Sequence, residues 1–260
     1  MRIALLDSGL GLLPAAAALR RLRPDASLVL STDPEGMPWG PRTPEGITAR
    51  ALGCARAATG TGRPDALVVA CNTASVYALP ALRAELEPGV PVVGTVPAVK
   101  PAASAGGPFA VWATPATTGS PYQRRLIGEF ADAERATAVP CHGLAEAVER
   151  ADEEALEAAV GAAAGLTPPE AATVVLGCTH YELVAGRIRE RLTARTGRPV
   201  TLLGTAEAVA AQALRRTGLT PRPGAPGTGA LTVLASGRPA ALPPAALAYE
   251  EGRLLAAVAA

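Results

Sequence analysis

Short apolar runs recur along this chain, and nearly every one is followed by an amphipathic stretch of about a dozen residues. That alternation constrains the fold more than any other feature. Parallel strands need a crossover connection, and a helix is the usual one. The runs fall at 2–6 (RIALL), 27–32 (SLVLST), 66–70 (ALVVA), 90–96 (VPVVGTV), 108–114 (PFAVWAT), 135–140 (RATAVP), 172–177 (ATVVLG) and 199–204 (PVTLLG). Their near-continuous apolar character fits strands buried on both faces. Helices are expected at 14–22, 44–58, 74–86, 119–130, 181–195 and 205–217, and an Ala/Glu-rich helical region at 143–164 should break at Gly161 and Gly165. Pro80 inside 74–86 calls for a kink or a late start. Residues 219–230 read as a Pro/Gly-rich loop, 231–239 as a small edge strand, and the Ala-rich tail 240–260 as ending in a helix.

The chain reads as two similar series. IALLDSG and FAVWATPAT each open a half with a strand ending in small polar groups. VVACNT and VVLGCTH each put a cysteine at the carboxyl end of a later strand. The fold class expected is α/β, two domains of similar design built from parallel βαβ units. Ligands of open α/β sheets bind outside the carboxyl ends of strands. Two such domains facing each other would present Cys71 and Cys178 from opposite sides of a shared interdomain cleft.

Composition narrows the function. The formal charge is +1 and aromatics make up 3%, so neither the basic excess nor the stacking rings of a nucleic-acid binder are present. No apolar run reaches the length of a membrane span. Asp7 interrupts what would be the apolar region of a signal peptide, and the expected setting is cytoplasmic. Four cysteines in such a chain read as reduced thiols. There is no CxxC pair and there are only two histidines, His142 and His180, so no metal site is expected.

Cys71 and Cys178 each stand just before an expected helix, where exposed N–H groups favour an anion. Thr73 or Ser75 could cap the first helix and Thr179 the second. The plain reading of a cysteine ending an apolar strand is a small buried hydrophobe. Two in matched polar settings suggest more. One thiolate can remove a proton from a carbon while a thiol on the other face delivers one, inverting the centre.

The motifs DSGLG (7–11), MPWG (37–40), VVACNTAS (68–75), TPAT with SPYQR (114–117, 120–124) and VLGCTHY (175–181) keep their order across essentially the whole chain. On these the chain resembles the glutamate racemases of the aspartate/glutamate racemase superfamily. The resemblance implies two α/β domains, with the tail returning to complete the first: 1–97 plus 206–260, and 98–205. It implies interconversion of L- and D-glutamate without cofactor or metal, with D-glutamate feeding peptidoglycan synthesis. Cys71 would act on the D-enantiomer and Cys178 on the L-enantiomer, helped by Asp7 and His180. Glu149 matches a family glutamate near the catalytic site, although a solvated helix face explains it equally well. Ser8, Pro38, Trp39, Gly40, Asn72, Thr73, Thr114, Thr117 and Thr179 fall where the family binds its amino-acid substrate. Family members often form homodimers, so the resemblance makes a homodimer possible, but no interface is readable in the sequence and the oligomeric state is left open.

The chain departs from the family at Leu12, where a glycine is usual, and at Trp39, where a tyrosine is usual. A family arginine before MPWG is absent, with Glu35 or Gly36 near its place. His142 reads as a surface or loop histidine. These departures are expected to cluster near the rim of the cleft, which leaves open a racemase of aspartate or another amino acid. A non-catalytic binding homologue or a decarboxylase-type scaffold would not need both thiols.

Overall fold

The computed structural model describes residues 1–257, the side chain of Ala133 excepted. In chain order the first elements are β1 (Arg2–Leu6), α1 (Leu13–Leu22), β2 (Ser27–Thr32), α2 (Pro44–Gly60), β3 (Ala66–Val69), α3 (Asn72–Tyr77), α4 (Leu79–Leu86) and β4 (Val92–Gly94). Then come α5 (Val99–Ser104), β5 (Phe109–Ala113), α6 (Pro121–Phe130), β6 (Ala136–Pro140), α7 (Leu144–Arg150), α8 (Glu153–Leu166), β7 (Thr173–Leu176), α9 (Ala185–Thr196) and β8 (Thr201–Leu203). The last are α10 (Ala206–Arg216), β9 (Leu231–Ala235), β10 (Arg238–Ala240) and α11 (Glu250–Ala256).

Contacts divide the chain into two units, Met1–Thr95 with the segment from Ala206 onward, and Val96–Thr205. The first unit holds a sheet in the order β10-β9-β2-β1-β3-β4, parallel except for the β9–β10 hairpin. The second holds the all-parallel order β6-β5-β7-β8. The cores of the two sheets are therefore wound identically, since β2-β1-β3-β4 corresponds strand for strand to β6-β5-β7-β8. All residues of β3, β5 and β7 are buried, as their unbroken apolar sequences require. α1 is buried over most of its surface, with α10 and α11 packed against it.

Several local expectations are corrected. Pro80 divides 74–86 into α3 and α4, and it sits in the first turn of α4, where its missing N–H has no intrahelical partner. The helical region 143–164 breaks at Ala151 and Asp152 rather than at its glycines. The Asp152 carboxylate accepts from Ala155 N at 3.0 Å and caps α8, whereas Gly161 and Gly165 lie inside that helix. Residues 179–184 form a 3₁₀ turn before α9. Residues 231–239 are not a single edge strand: β9 pairs in parallel with β2, and β10 forms the edge. Their two-residue turn uses Ser236 and Gly237, both with positive φ (46° and 80°), as a tight hairpin demands. Helix α5 carries no clear periodicity and was not anticipated.

Candidate active site

In each unit the chain steps from the first strand to one neighbour and then crosses to the other side. The strand order reverses at β1 in the first unit and at β5 in the second. Such a reversal leaves a crevice at the carboxyl ends of the strands on either side. In the first unit those ends are Asp7 after β1 and Cys71 after β3. In the second they are Thr114 after β5 and Cys178 after β7. Each of these residues follows directly from the apolar pattern, which delivers the first polar residue after a buried strand to the sheet edge.

In the first unit Asp7 is buried and its N–H donates to Ser31 O at 3.2 Å. Its Oδ1 accepts from Ser8 N at 2.7 Å. One strand over, Ala70 N donates to Leu6 O at 2.9 Å, so the Cys71 turn leaves beside the Asp7 turn. Cys71 is the N-terminal boundary residue of α3, with an extended backbone and no side-chain cap. The expected capping by Thr73 or Ser75 is absent there; the Ser75 hydroxyl instead donates back to Val69 O at 3.2 Å. Asn72 is buried and Thr73 half-buried.

Pro38 is exposed and Gly40 half-buried, but Trp39 turns inward. Its ring joins the core of the first unit, and its Nε1 donates to Asp33 Oδ2 at 2.9 Å. The aromatic wall expected at a rim is thus a core group, and so is the fully buried Leu12. The Asp33 carboxylate also accepts from Arg50 Nη1 at 2.8 Å and from Ser236 Oγ at 2.9 Å. Burial works against its charge, but hydrogen bonds from Trp39, Arg50 and Ser236 outweigh it and hold the carboxyl below its usual range. A methyl group at Gly36 would collide with Asp33 and with the Arg50 guanidinium. The Arg50 guanidinium, carried on α2, therefore lies directly against this segment. This hub was missed in the sequence, although an aspartate directly after an apolar strand was a readable signal.

In the second unit Cys178 is half-buried and starts the 3₁₀ turn that contains Thr179 and His180. His180 is buried, with Nδ1 3.8 Å from Cys178 Sγ and Nε2 3.0 Å from Glu149 Oε2. Glu149 projects from α7, so it is a partner of His180 and not a solvated helix face. In the tautomer whose Nε2–H donates to the Glu149 carboxylate, the Nδ1 lone pair faces the thiol. Gly177 is required by close approach. Its N–H donates to Trp112 O at 2.7 Å, and a Cβ there would come within 2.6 Å of that oxygen. Thr114 and Thr117 join hydroxyl to hydroxyl at 3.2 Å, and Thr179 is buried. His142 is exposed.

The other two thiols, Cys54 and Cys141, are buried. Burial pushes Cys54 up to about 12, with the charge of Asp33 adding to it. Burial pushes Cys141 higher still, with Cys178 adding to it. Both are poor thiolate formers at neutral pH.

A parallel α/β unit built twice, with a cysteine at the carboxyl edge of the third strand each time, defines a class: α/β proteins carrying a matched pair of strand-end thiols. Known proteins narrow that class. The Asp/Glu/Hydantoin racemase family matches residues 14–213. Glutamate racemase of Granulibacter bethesdensis is 39% identical over 82% of this chain and 77% of its own length. Glutamate racemase of Roseiflexus sp. is 37% identical over 84% and 80%. The crystal structure of Escherichia coli glutamate racemase in complex with L-glutamate and the activator UDP-MurNAc-Ala matches with a TM-score of 0.79 and 28% identity, covering 99% of this chain and 93% of that one. The chain belongs to the Asp/Glu/Hydantoin racemase family. No helix among the described residues is long and apolar enough to cross a membrane.

Proposed function

We propose that this protein is a glutamate racemase working by two thiols. The observation that carries the reading is the chain of contacts Glu149–His180–Cys178, with Nε2 held at 3.0 Å and Nδ1 facing the sulfur. His180 takes the Cys178 proton through Nδ1, and the resulting thiolate removes the Cα proton of L-glutamate. Cys71, as the thiol, gives its proton to the opposite face of the carbanion. The reverse direction exchanges the roles, with Asp7 serving Cys71 as His180 serves Cys178. One proton leaves carbon and one arrives, so the proposed mechanism calls for neither cofactor nor metal.

The proton on Cα of an amino acid is weakly acidic, and the carbanion must be stabilised by what surrounds it. Ser8, Asn72, Thr73, Thr114, Thr117 and Thr179 supply hydroxyl, amide and backbone N–H donors for the substrate carboxylates. None of them adds a competing titratable group. Glutamate is the substrate of the relatives named above, and this chain is similar to them over most of its length. The aspartate alternative rested on Trp39 and an altered rim. The Leu12 and Trp39 side chains are buried in the core, which removes those two residues from its support. A cytoplasmic homodimer supplying D-glutamate to peptidoglycan synthesis completes the reading.

The test is incubation with L-glutamate in D₂O. D-glutamate carrying deuterium at Cα is expected, and a folded enzyme that exchanges no Cα proton would defeat the reading.

A further inference from the structure

The two thiol turns share a second feature. Four residues after each thiol (75 − 71 = 182 − 178 = 4) stands a side chain that reaches the end of the next strand. In the first unit Ser75 Oγ accepts from Thr95 N at 2.8 Å and donates to Val69 O, while Thr95 Oγ1 donates to the same Val69 O at 2.7 Å. In the second unit Glu182 Oε1 accepts from Thr205 N at 2.7 Å and from Thr205 Oγ1 at 2.9 Å.

The partners also correspond. Thr95 and Thr205 stand in matching Gly-Thr pairs, VVGT at the end of β4 and LLGT at the end of β8. Both are buried. Both preceding glycines are closely packed, though by different groups: a Cβ at Gly94 would collide with Leu79 and only touch Ser75 Oγ at 3.4 Å, while one at Gly204 would collide with the Glu182 carboxylate itself. Thr95 and Thr205 are moreover the residues at which the chain leaves each unit, since the units divide at 95–96 and at 205–206. The chemistry differs, hydroxyl against carboxylate, while the geometry repeats. Two different side chains serving one position argue for a shared role rather than an inherited residue.

We propose that Ser75 and Glu182 are positioning residues, each fixing the thiol-bearing turn of its own unit to the segment where the chain exits that unit. Ser75 acts through Val69, two residues before Cys71. Glu182 acts through the 3₁₀ turn that begins at Cys178. The inference deepens the racemase reading, because thiols that deliver and remove a proton at one carbon tolerate little displacement.

The test uses the two thiols as local reporters. In the full chain, alkylation by iodoacetamide is followed for each cysteine by peptide mass spectrometry. Glu182→Ala should change the Cys178 rate about five-fold and leave Cys71 unchanged, as loss of one charge-assisted latch implies. Ser75→Ala should do the reverse. Glu182→Gln and Ser75→Thr keep an acceptor and should return each rate to the wild-type value. A general loss of stability would move both thiols together, and that result overturns the proposal, as does a variant that moves neither. Glu182→Met carries the same expectation should Glu182→Ala not fold. In the wild-type protein the Thr95 and Thr205 amides should exchange slowly with D₂O, and rapid exchange at both also overturns the proposal. With glutamate, Glu182→Ala should lower kcat about ten-fold and leave KM nearly unchanged. Labelling and amide exchange need no turnover. A wild-type enzyme that fails to racemise glutamate would therefore defeat the functional reading and leave the latch to be judged on its own.

Discussion

Glu149 Oε2 lies 3.0 Å from His180 Nε2, and this contact decides which imidazole nitrogen faces Cys178. In the proposed mechanism, a carboxylate that orients a histidine toward a thiol gives that thiol a partner for its proton in either direction of the reaction. Removing the carboxylate by Glu149→Ala should lower kcat/KM for glutamate about ten- to hundred-fold, the scale of displacing a proton-transfer group. A rate within two-fold of wild type would mean that the contact is structural only.

Cys71→Ala and Cys178→Ala should each abolish racemisation. The mechanism needs an acid and a base at once, and either variant removes one of them. Chiral analysis of product from both enantiomers checks this. Near-normal turnover in either single variant would refute the paired roles.

The four thiols should react in a defined order. Cys178 is half-exposed, whereas Cys54 and Cys141 are buried and pushed up in pKa. With Cys54 at about 12, only about one part in ten thousand is thiolate at pH 8. Iodoacetamide should label Cys178 first and leave Cys54 and Cys141 to the end, as peptide mapping would reveal. Early labelling of Cys54 would contradict its burial.

Asp33 should make the protein acid-sensitive. Its folded pKa lies below the ordinary 3.8, so its stabilisation is complete above that value and lost as pH falls through the folded one. Asp33→Asn should destabilise the protein by about 2 kcal/mol at neutral pH, the scale of hydrogen bonds to a buried charge. The difference should shrink as the pH is lowered. Denaturant titrations at several pH values test both parts, and a pH-independent difference would rule out this linkage.

Gly177→Ala should be costly although its backbone is not strained. The added methyl meets Trp112 O at 2.6 Å, so β5 and β7 must part. A loss of about 1–3 kcal/mol is expected, as for other overpacked cores. Thermal unfolding measures it, and an unchanged Tm would show that the strands yield freely.

Much of the fold was legible because it follows from short-range rules. An apolar run of four to seven residues followed by an amphipathic stretch has few solutions, and the strand positions come out within about two residues. The same rule put Asp7, Cys71, Thr114 and Cys178 at strand ends, since a polar residue after a buried strand can only emerge at the sheet edge. Errors arose where one side chain outweighed a pattern. Asp152 broke a helix because its carboxylate caps Ala155, and the nearby glycines did not.

What the sequence alone determined was therefore the repeated α/β design and the pair of thiols at equivalent strand ends. The tertiary structure decided which polar side chains meet, because those contacts span 31 residues from Glu149 to His180 and 203 from Asp33 to Ser236. It turned Trp39 into the core, where the Asp33 carboxylate satisfies its N–H, and it set Ser75 and Glu182 against matching threonines. Periodicity fixes which face of an element is buried. Pairings between distant polar atoms depend on packing, and no local pattern in the chain encodes them.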